Sequence, residues 1–285
     1  MKKIALTLIG LLLVYFVGKT FFAETYSQNP ETNPKISNLK KEDFNVLLYS
    51  KANGWVHEDA IPAAKELFVS LAEQNNWKLT ITDDSSIYSE EQLAFFDVIV
   101  WNNVTGNTLN KKQRSAFKNY LENGGGFVGF HGSGDNSREW DWYYDQVIRA
   151  KFSHHPMVPQ FQVGTLNKEC PSSFPDCESL PIRWDQEEEW YVFYDSPRKK
   201  EANILYTLDE TDMVMSGVRE DGSLQEKNFG MGKDHPIVWY NCVGKGKAFY
   251  SALGHKGSYY KNPNYRHLFT IAVNWAGNPS LNCNL

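Results

Sequence analysis

The stretch Gly124-Gly125-Gly126-Phe127-Val128-Gly129-Phe130-His131-Gly132-Ser133-Gly134-Asp135 decides the fold of this chain. It follows an amphipathic segment, and its apolar residues predict a buried strand that ends in a sharp turn at His131. In open α/β sheets, ligands bind in the crevice beyond the carboxyl ends of the strands. His131 is therefore the first candidate for chemistry. The alternative is that the glycines only allow close packing and that His131 hydrogen-bonds a backbone carbonyl.

Strand and helix patterns alternate on the N-terminal side of this stretch. Strands are predicted at 44–50, 79–82 and 98–101, and helices begin near residues 61, 89 and 110. Asp59 and Asn110 are the expected N-caps of the first and third helices. The alternation predicts an α/β fold in which segments 44–50, 98–101 and 127–130 are neighbouring parallel strands.

The pattern changes after a predicted helix at 140–148. The region from Phe152 to Asp234 is rich in Pro, Gly and acidic residues, and it predicts a loop-rich insertion with short strands at 161–165 and 204–208. A hairpin follows at 237–253 around Gly244-Lys245-Gly246, and a last helix is predicted at 263–275.

The first 23 residues have the pattern of an export signal. Lys2 and Lys3 precede an uncharged run from Ile4 to Gly18. Two outcomes stay open, a cleaved signal peptide and an uncleaved anchor that holds the protein at a membrane. We expect an exported, periplasmic or otherwise extracytoplasmic protein, with a polar linker at 24–42, a folded domain at 43–277 and a tail at 278–285.

Charge and cysteine content narrow the class of protein. The formal net charge of the 285 residues is −5, which argues against nucleic acid or anionic lipid as a partner and favours a small neutral ligand. The oligomeric state cannot be deduced from these features. Four cysteines in an exported body predict two disulfides, Cys170 with Cys177 and Cys242 with Cys283. Their spacing matches no cysteine-based zinc site.

Three of the seven histidines follow predicted strands. His57, His131 and His255 would meet at the carboxyl edge of a parallel sheet and line one pocket, and Glu189 would come from its opposite wall. Asp135 and Glu189 are the carboxylates that could orient a histidine or act as acid and base. Neutral imidazoles with one carboxylate would also form a divalent metal site, for which Zn²⁺ is the candidate.

Aromatic residues crowd the same loops. Flat rings beside carboxylates and amides suit a carbohydrate, although core or rim packing is the alternative explanation for many of them. The candidate substrate-binding residues are Trp55, His57, Trp101, Trp140, His155, Trp190, Tyr191 and His235.

Several motifs together resemble the ThuA-like (trehalose utilisation) domain family, in family order from about Phe44 to Gly277. The segments are Gly54-Trp55-Val56-His57, Gly124 to Asp135, Ser153-His154-His155-Pro156, Glu188-Glu189-Trp190-Tyr191, Gly232-Lys233-Asp234-His235-Pro236-Ile237 and Leu253-Gly254-His255. The resemblance implies a flavodoxin-like, class I glutamine amidotransferase-like fold with three layers and a mainly parallel sheet.

The chain departs from the amidotransferase pattern at one decisive position. Enzymes of that fold place a cysteine nucleophile in a Gly-x-Cys-x-Gly turn, whereas this sequence has Gly129-Phe130-His131-Gly132-Ser133. Thiol-dependent amide hydrolysis is therefore excluded, because the nucleophilic sulfur is missing.

Three functional hypotheses remain open at this point. The first is an enzyme acting on a sugar or modified glycoside as a hydrolase, lyase or isomerase, with His131, His255, Glu189 and Asp135 as catalytic residues. The second is a non-catalytic carbohydrate-binding or sensing module. The third is an interaction domain in which the histidines only satisfy loops.

Overall fold

The computed structural model describes residues 36, 39–171, 174–215, 217–218, 224–225 and 230–281. The α-helices are α1 (Ala60–Asn75), α2 (Glu90–Leu93), α3 (Lys111–Glu122) and α4 (Pro263–Gly277). The strands are β1 (Asn45–Tyr49), β2 (Lys78–Thr82), β3 (Val98–Asn102), β4 (Gly126–Phe130), β5 (Phe152–His154), β6 (Gln162–Lys168), β7 (Arg183–Glu188), β8 (Val192–Phe193), β9 (Asn203–Asp209), β10 (Gly217–Val218), β11 (Leu224–Gln225), β12 (Pro236–Val243) and β13 (Gly246–Ser251). No helix in this described part is long and apolar enough to cross a bilayer.

One large sheet organises the domain. Its strand order is β2-β1-β3-β4-β13-β12-β9-β6-β7. The first five strands are parallel to one another, so the prediction of three neighbouring parallel strands is confirmed. Every residue of β1, β3 and β4 is buried, as expected for strands whose two faces are both covered. The mixed α/β fold with a mainly parallel half is therefore as predicted.

The first three helices begin where the sequence predicts, and in two of them the N-cap side chain makes a capping bond. Asn110 caps α3 with a full capping box. Its Oδ1 accepts from the Gln113 backbone N–H, and Gln113 Oε1 accepts from the Asn110 backbone N–H. At the start of α2, the Ser89 hydroxyl accepts a single capping bond from the Gln92 backbone N–H. Asp59 precedes α1 but makes no capping bond, because its carboxylate accepts from the Gly257 backbone N–H at 2.9 Å. The predicted N-cap position of Asp59 is therefore confirmed, but its side chain bonds a distant loop instead of the helix.

The predicted loop-rich insertion is more ordered than its composition indicates. Strands β6, β7 and β9 extend the central sheet with antiparallel pairs, while β5 and β8 form a separate small sheet. Strand β7 lacks the alternation of apolar and polar residues that would predict it from the sequence. Its buried positions are Trp184, Gln186 and Glu188, of which only the first is apolar, and they alternate with exposed polar residues. We call β9, β6 and β7 the antiparallel extension.

A disulfide closes part of the loop that connects β6 to β7 in the antiparallel extension. Cys170 and Cys177 are bonded, with Cα atoms 5.9 Å apart, and this predicted pairing is confirmed. The predicted pairing of Cys242 with Cys283 lies outside the described residues, since Cys283 is not among them. The predicted signal or anchor at 1–23 lies outside them as well.

Candidate functional site

Four side chains converge where the parallel strands end. One ligand atom from each of His57, His131, Glu189 and His255 lies within 4.8 Å of every other. The imidazole centroids are 4.7 Å apart for His57 and His131, 4.9 Å for His57 and His255, and 5.0 Å for His131 and His255. We call these four residues the histidine-glutamate cluster. The structure thus brings together the three histidines that the strand pattern places at one edge.

Two parts of the sheet contribute to this cluster. The histidines follow β1, β4 and β13, whose carboxyl ends share one edge because the strands are parallel. Glu189 directly follows β7, although β12, β9 and β6 lie between β13 and β7 in the strand order. The carboxylate is therefore supplied by the antiparallel extension.

The turn after β4 holds His131 in an unusual backbone conformation. Its φ is 45°, in the left-handed region that non-glycine residues rarely adopt. Gly134 lets the turn pack tightly, because a Cβ there would lie 2.2 Å from the Tyr250 hydroxyl oxygen. That hydroxyl donates to the His131 carbonyl at 2.9 Å. The turn is over-determined by packing, as strained backbone at functional sites commonly is.

Hydrogen bonds fix the orientation of His131. Its Nδ1 lies 2.9 Å from the Ala252 carbonyl and must donate to it. The expected carbonyl bond is therefore present, and it leaves Nε2 directed at the cluster, 3.1 Å from His255 Nδ1 and 3.5 Å from Glu189 Oε2. His255 Nδ1 lies 2.9 Å from the same Glu189 oxygen.

His57 is the member of the cluster whose bonding is incomplete. It is buried, and its Nδ1 has no hydrogen-bond partner. Burial, reinforced by the neighbouring His131 and His255, lowers the pKa of His57 to about 2. His57 is therefore a neutral imidazole with a lone pair next to three other potential ligands.

The charge of Glu189 is stabilised by its neighbours. Burial by itself raises the pKa of Glu189, but its hydrogen bonds with His131 and His255 outweigh burial and hold the pKa well below the usual range. Burial lowers the pKa of His131, yet the Glu189 bond and the charges of Glu188 and Glu189 raise it overall. Glu189 Oε1 is held by Gln160 Nε2 at 2.6 Å, with His155 Nε2 at 3.4 Å.

The donor set fits a divalent metal ion. Three imidazoles and one carboxylate are the ligands that Zn²⁺ and similar ions accept, at about 2.0–2.2 Å. Tetrahedral coordination at such lengths separates ligand atoms by about 3.3 Å, close to the 2.9, 3.1 and 3.5 Å seen between Glu189, His131 and His255. His57 contributes a neutral imidazole nitrogen to the same set, since one of its ring nitrogens lies within 4.8 Å of the other ligand atoms.

Three further candidates lie around the cluster. The Tyr191 ring lies 4.5 Å from that of His131, and His155 reaches Glu189. Trp55 is 71% exposed and belongs to the loop that carries His57. Tyr191 and His155 therefore contact members of the cluster, whereas Trp55 is linked to it only through the loop that carries His57.

The structure places two tryptophan candidates in the core rather than in the pocket. Trp101 is buried, and its Nε1 donates to the Tyr88 hydroxyl at 2.6 Å. Trp190 is fully buried and donates to the Gln162 carbonyl at 2.8 Å. Their sequence positions at strand ends gave no indication of which face they occupy.

Three other candidates also have partners outside the cluster. The Arg114 guanidinium lies 5.1 Å from the centre of the Trp140 ring. Both nitrogens of the buried His235 face acceptors, Glu210 Oε1 at 2.6 Å and the Tyr191 carbonyl at 2.8 Å. Asp135 accepts from the Ser137 backbone and pairs with Arg138 at 3.5 Å, so it braces the turn instead of orienting a histidine.

Sequence reasoning missed three residues that complete the site. Gln160 holds Glu189, and the Phe161 ring lies 5.1 Å from that of His255. Glu188 is fully buried beneath the cluster and accepts from the His255 backbone N–H at 3.2 Å. Glu188 adjoins a candidate carboxylate in the sequence, which is a usable signal, whereas nothing local distinguishes Gln160 or Phe161.

Comparisons with known proteins agree with this architecture. The family model described as "ThuA: Trehalose utilisation" matches residues 45–276. The crystal structure of a ThuA-like protein from Bacteroides uniformis ATCC 8492 is 25% identical, covers 87% of this chain and 98% of its own, and has a TM-score of 0.66. A ThuA-like protein from Parabacteroides merdae ATCC 43184 is 16% identical, with 84% and 92% covered and a TM-score of 0.62, and shows the shared fold. No curated protein matches the chain significantly.

Proposed function

The chain belongs to the ThuA, or trehalose utilisation, family, and we propose that it acts on a sugar or modified glycoside at a divalent metal centre held by the histidine-glutamate cluster. The observation that carries the proposal is the convergence of His57, His131, His255 and Glu189, whose ligand atoms lie within 4.8 Å of one another around a buried, neutral His57. Three imidazoles and a carboxylate gathered in this way are a donor set for a divalent metal ion.

The residues of the cluster have distinct tasks in this proposal. His131 presents Nε2 to the metal because Nδ1 is committed to the Ala252 carbonyl. Glu189 presents Oε2 while Gln160 holds its other oxygen. A bound divalent metal supplies Lewis-acid polarisation of a substrate oxygen or activation of a water molecule.

The surroundings of the cluster support a carbohydrate as the substrate class. Trp55 offers an exposed indole for stacking on the apolar face of a sugar ring. His155 donates through Nδ1 to the Pro156 carbonyl, which leaves Nε2 directed at Glu189 Oε1 and available to a substrate hydroxyl. The family description, trehalose utilisation, points to the same class of compound.

A non-catalytic sensing or carbohydrate-binding module is the second candidate. Four protein ligands form a closed coordination set, which is typical of structural metal sites, whereas catalytic zinc sites usually keep one position for water or substrate. The two candidates predict the same metal and differ in turnover.

The decisive experiment measures metal first and turnover second. Elemental analysis of the purified protein should find about one divalent metal ion per chain, and disaccharides with their keto derivatives should then be screened as substrates. His131→Ala should lose metal and turnover together, while His267→Ala, a histidine bonded to Ser179 outside the cluster, should keep both. Sugar binding without turnover in the unsubstituted protein would favour the sensing module, and absence of metal would refute the metal centre.

Export from the cytosol is part of the proposal. It is supported by the basic and apolar pattern of residues 1–23 and by the Cys170–Cys177 disulfide, since such bonds persist in oxidising compartments. Whether this segment is cleaved or anchors the protein in the membrane can be tested by cell fractionation and by the mass of the mature chain. Recovery of the uncleaved chain only from the cytosolic fraction would contradict export.

A further inference from the structure

Glu188 differs from every candidate named from the sequence because it is fully buried and still makes four hydrogen bonds. Its Oε2 accepts from the Gly254 backbone N–H at 2.7 Å and from the Tyr265 hydroxyl at 2.6 Å. Its Oε1 accepts from the backbone N–H of His255 at 3.2 Å and of Glu189 at 3.0 Å. One carboxylate therefore joins the end of β7, the loop after β13 and helix α4.

We propose that Glu188 is a positioning residue that sets the separation of His255 and Glu189, and thereby the metal affinity of the histidine-glutamate cluster. The proposal rests on the metal centre of the proposed function and extends it to a residue that does not itself face the cluster as a ligand. Two of the four bonds fix the backbone of the loop that carries His255, and a third fixes the backbone of Glu189. The two ligands come from opposite halves of the sheet, so this shared anchor determines how they meet.

The loop after β13 depends on this anchor because its backbone is unusual. Gly254 has a φ of 124°, which L-residues rarely adopt, and a Cβ there would lie 2.5 Å from the Tyr260 hydroxyl oxygen. The two consecutive N–H groups of Gly254 and His255 both point at Glu188. Without an acceptor, these buried groups would be unsatisfied and the loop would shift.

Only a carboxylate satisfies this arrangement. Its two oxygens accept all four bonds, whereas the amide of glutamine has one oxygen and an NH₂ group that would face N–H donors. Substitution of an outer residue that orients metal ligands typically weakens metal binding about 10- to 100-fold. Glu188→Gln should therefore weaken Co²⁺ and Zn²⁺ binding by a factor in that range.

The experiment compares Glu188→Gln with Glu187→Gln in the full chain. Glu187 is the preceding residue of β7 and loses the same charge, but its carboxylate bonds the half-buried Lys256 and the buried Tyr259 instead of the backbone of either His255 or Glu189. Titration with Co²⁺, monitored by its visible absorption, reports both affinity and coordination geometry. Glu188→Gln should show the 10- to 100-fold loss and an altered spectrum, whereas Glu187→Gln should stay within about twofold.

Each outcome decides the matter. Unchanged Co²⁺ affinity and spectrum in Glu188→Gln, with equal destabilisation of the metal-free and metal-loaded protein, would show a purely structural role and overturn the positioning proposal alone. Absence of Co²⁺ and Zn²⁺ binding by the unsubstituted protein would overturn this proposal together with the metal centre. If Glu188→Gln does not fold, Glu188→Asp keeps the charge but shortens the reach, and it should still weaken Co²⁺ binding about tenfold. Unsubstituted affinity in that variant would overturn the proposal.

Discussion

The parallel half of the sheet, formed by β2, β1, β3, β4 and β13, and the antiparallel extension contribute to the same site from strands of different character. In β1, β3 and β4 every residue is buried, and the chain supplies a histidine in the loop that leaves β1 and in the turn after β4. In β7, buried Trp184, Gln186 and Glu188 alternate with exposed residues, and the strand ends at Glu189. The parallel half provides the three imidazoles from strand ends, and the antiparallel extension provides the carboxylate. The four side chains therefore come from both parts of the sheet, and neither part contains all of them.

The prediction with the largest expected effect tests whether both parts of the sheet supply ligands to a divalent metal ion. Glu189→Gln and His255→Ala should each weaken divalent metal binding by more than about 100-fold, because each removes a donor from a four-ligand set. Calorimetric titration with Zn²⁺ measures the loss. Asp135→Asn is the control, since Asp135 pairs with Arg138 and not with the cluster. Unchanged affinity in Glu189→Gln would mean that the histidines suffice and that the antiparallel extension is not part of the centre.

The second prediction concerns the rigid turn of the parallel half. Gly134→Ala should lower the free energy of unfolding by about 3 kcal/mol, because the new Cβ would lie 2.2 Å from the buried Tyr250 hydroxyl oxygen. Gly232→Ala is the matched control. Its φ is 69° but no atom lies within 4 Å of the position that a Cβ would take, so only about 1 kcal/mol of backbone strain is expected. Urea unfolding of both variants gives the comparison, and equal losses would contradict the packing argument.

The third prediction concerns the antiparallel extension. Replacing Cys170 and Cys177 together by serine should lower the free energy of unfolding by about 2 kcal/mol, because the bond closes a short loop with a sequence separation of 7. Thermal unfolding under oxidising conditions measures the change. Zn²⁺ affinity should stay within a few-fold, since neither sulfur belongs to the histidine-glutamate cluster. Loss of metal binding in this variant would show that the loop between β6 and β7 also affects metal affinity.

The last prediction, of about the same size as the third, is the pH dependence that His57 contributes in the metal-free protein. Its pKa is about 2 in the folded state against an ordinary value of 6.5, so only the unfolded state gains this proton as the pH falls below 6.5. Stability due to His57 is therefore fully present above pH 6.5 and is lost on acidification by up to about 1.4 kcal/mol per pH unit. His57→Asn should show a shallower decline between pH 6.5 and about pH 5 in urea unfolding with chelator present. Parallel declines in the two proteins would contradict a buried, neutral His57.

Local patterns predicted the parallel half well because its signals are short-range. Apolar runs bounded by helices identify strands that are covered on both faces, and Asn110 indicates the start of α3. Asp59 carries the same kind of signal but bonds Gly257, far along the chain. In the antiparallel extension, the predicted short strands at 161–165 and 204–208 correspond to β6 and β9. Only β7 was missed, because Gln186 and Glu188 occupy buried positions that a hydrophobic pattern assigns to the surface.

The amino-acid sequence alone was enough to place His57, His131 and His255 after strands and to show that the turn after β4 lacks a cysteine nucleophile. These facts depend on residue order and on the regular geometry of parallel strands, whose ends must share an edge. The sequence also predicted Glu189 on the opposite wall of the histidine pocket. The folded structure was needed to show that Glu189 lies 2.9 Å from His255 Nδ1, that Glu188 accepts from the backbone of both residues, and that Trp101 and Trp190 lie in the core. Those outcomes depend on contacts between residues distant in the chain, where burial and hydrogen-bond satisfaction, rather than local periodicity, select the partner.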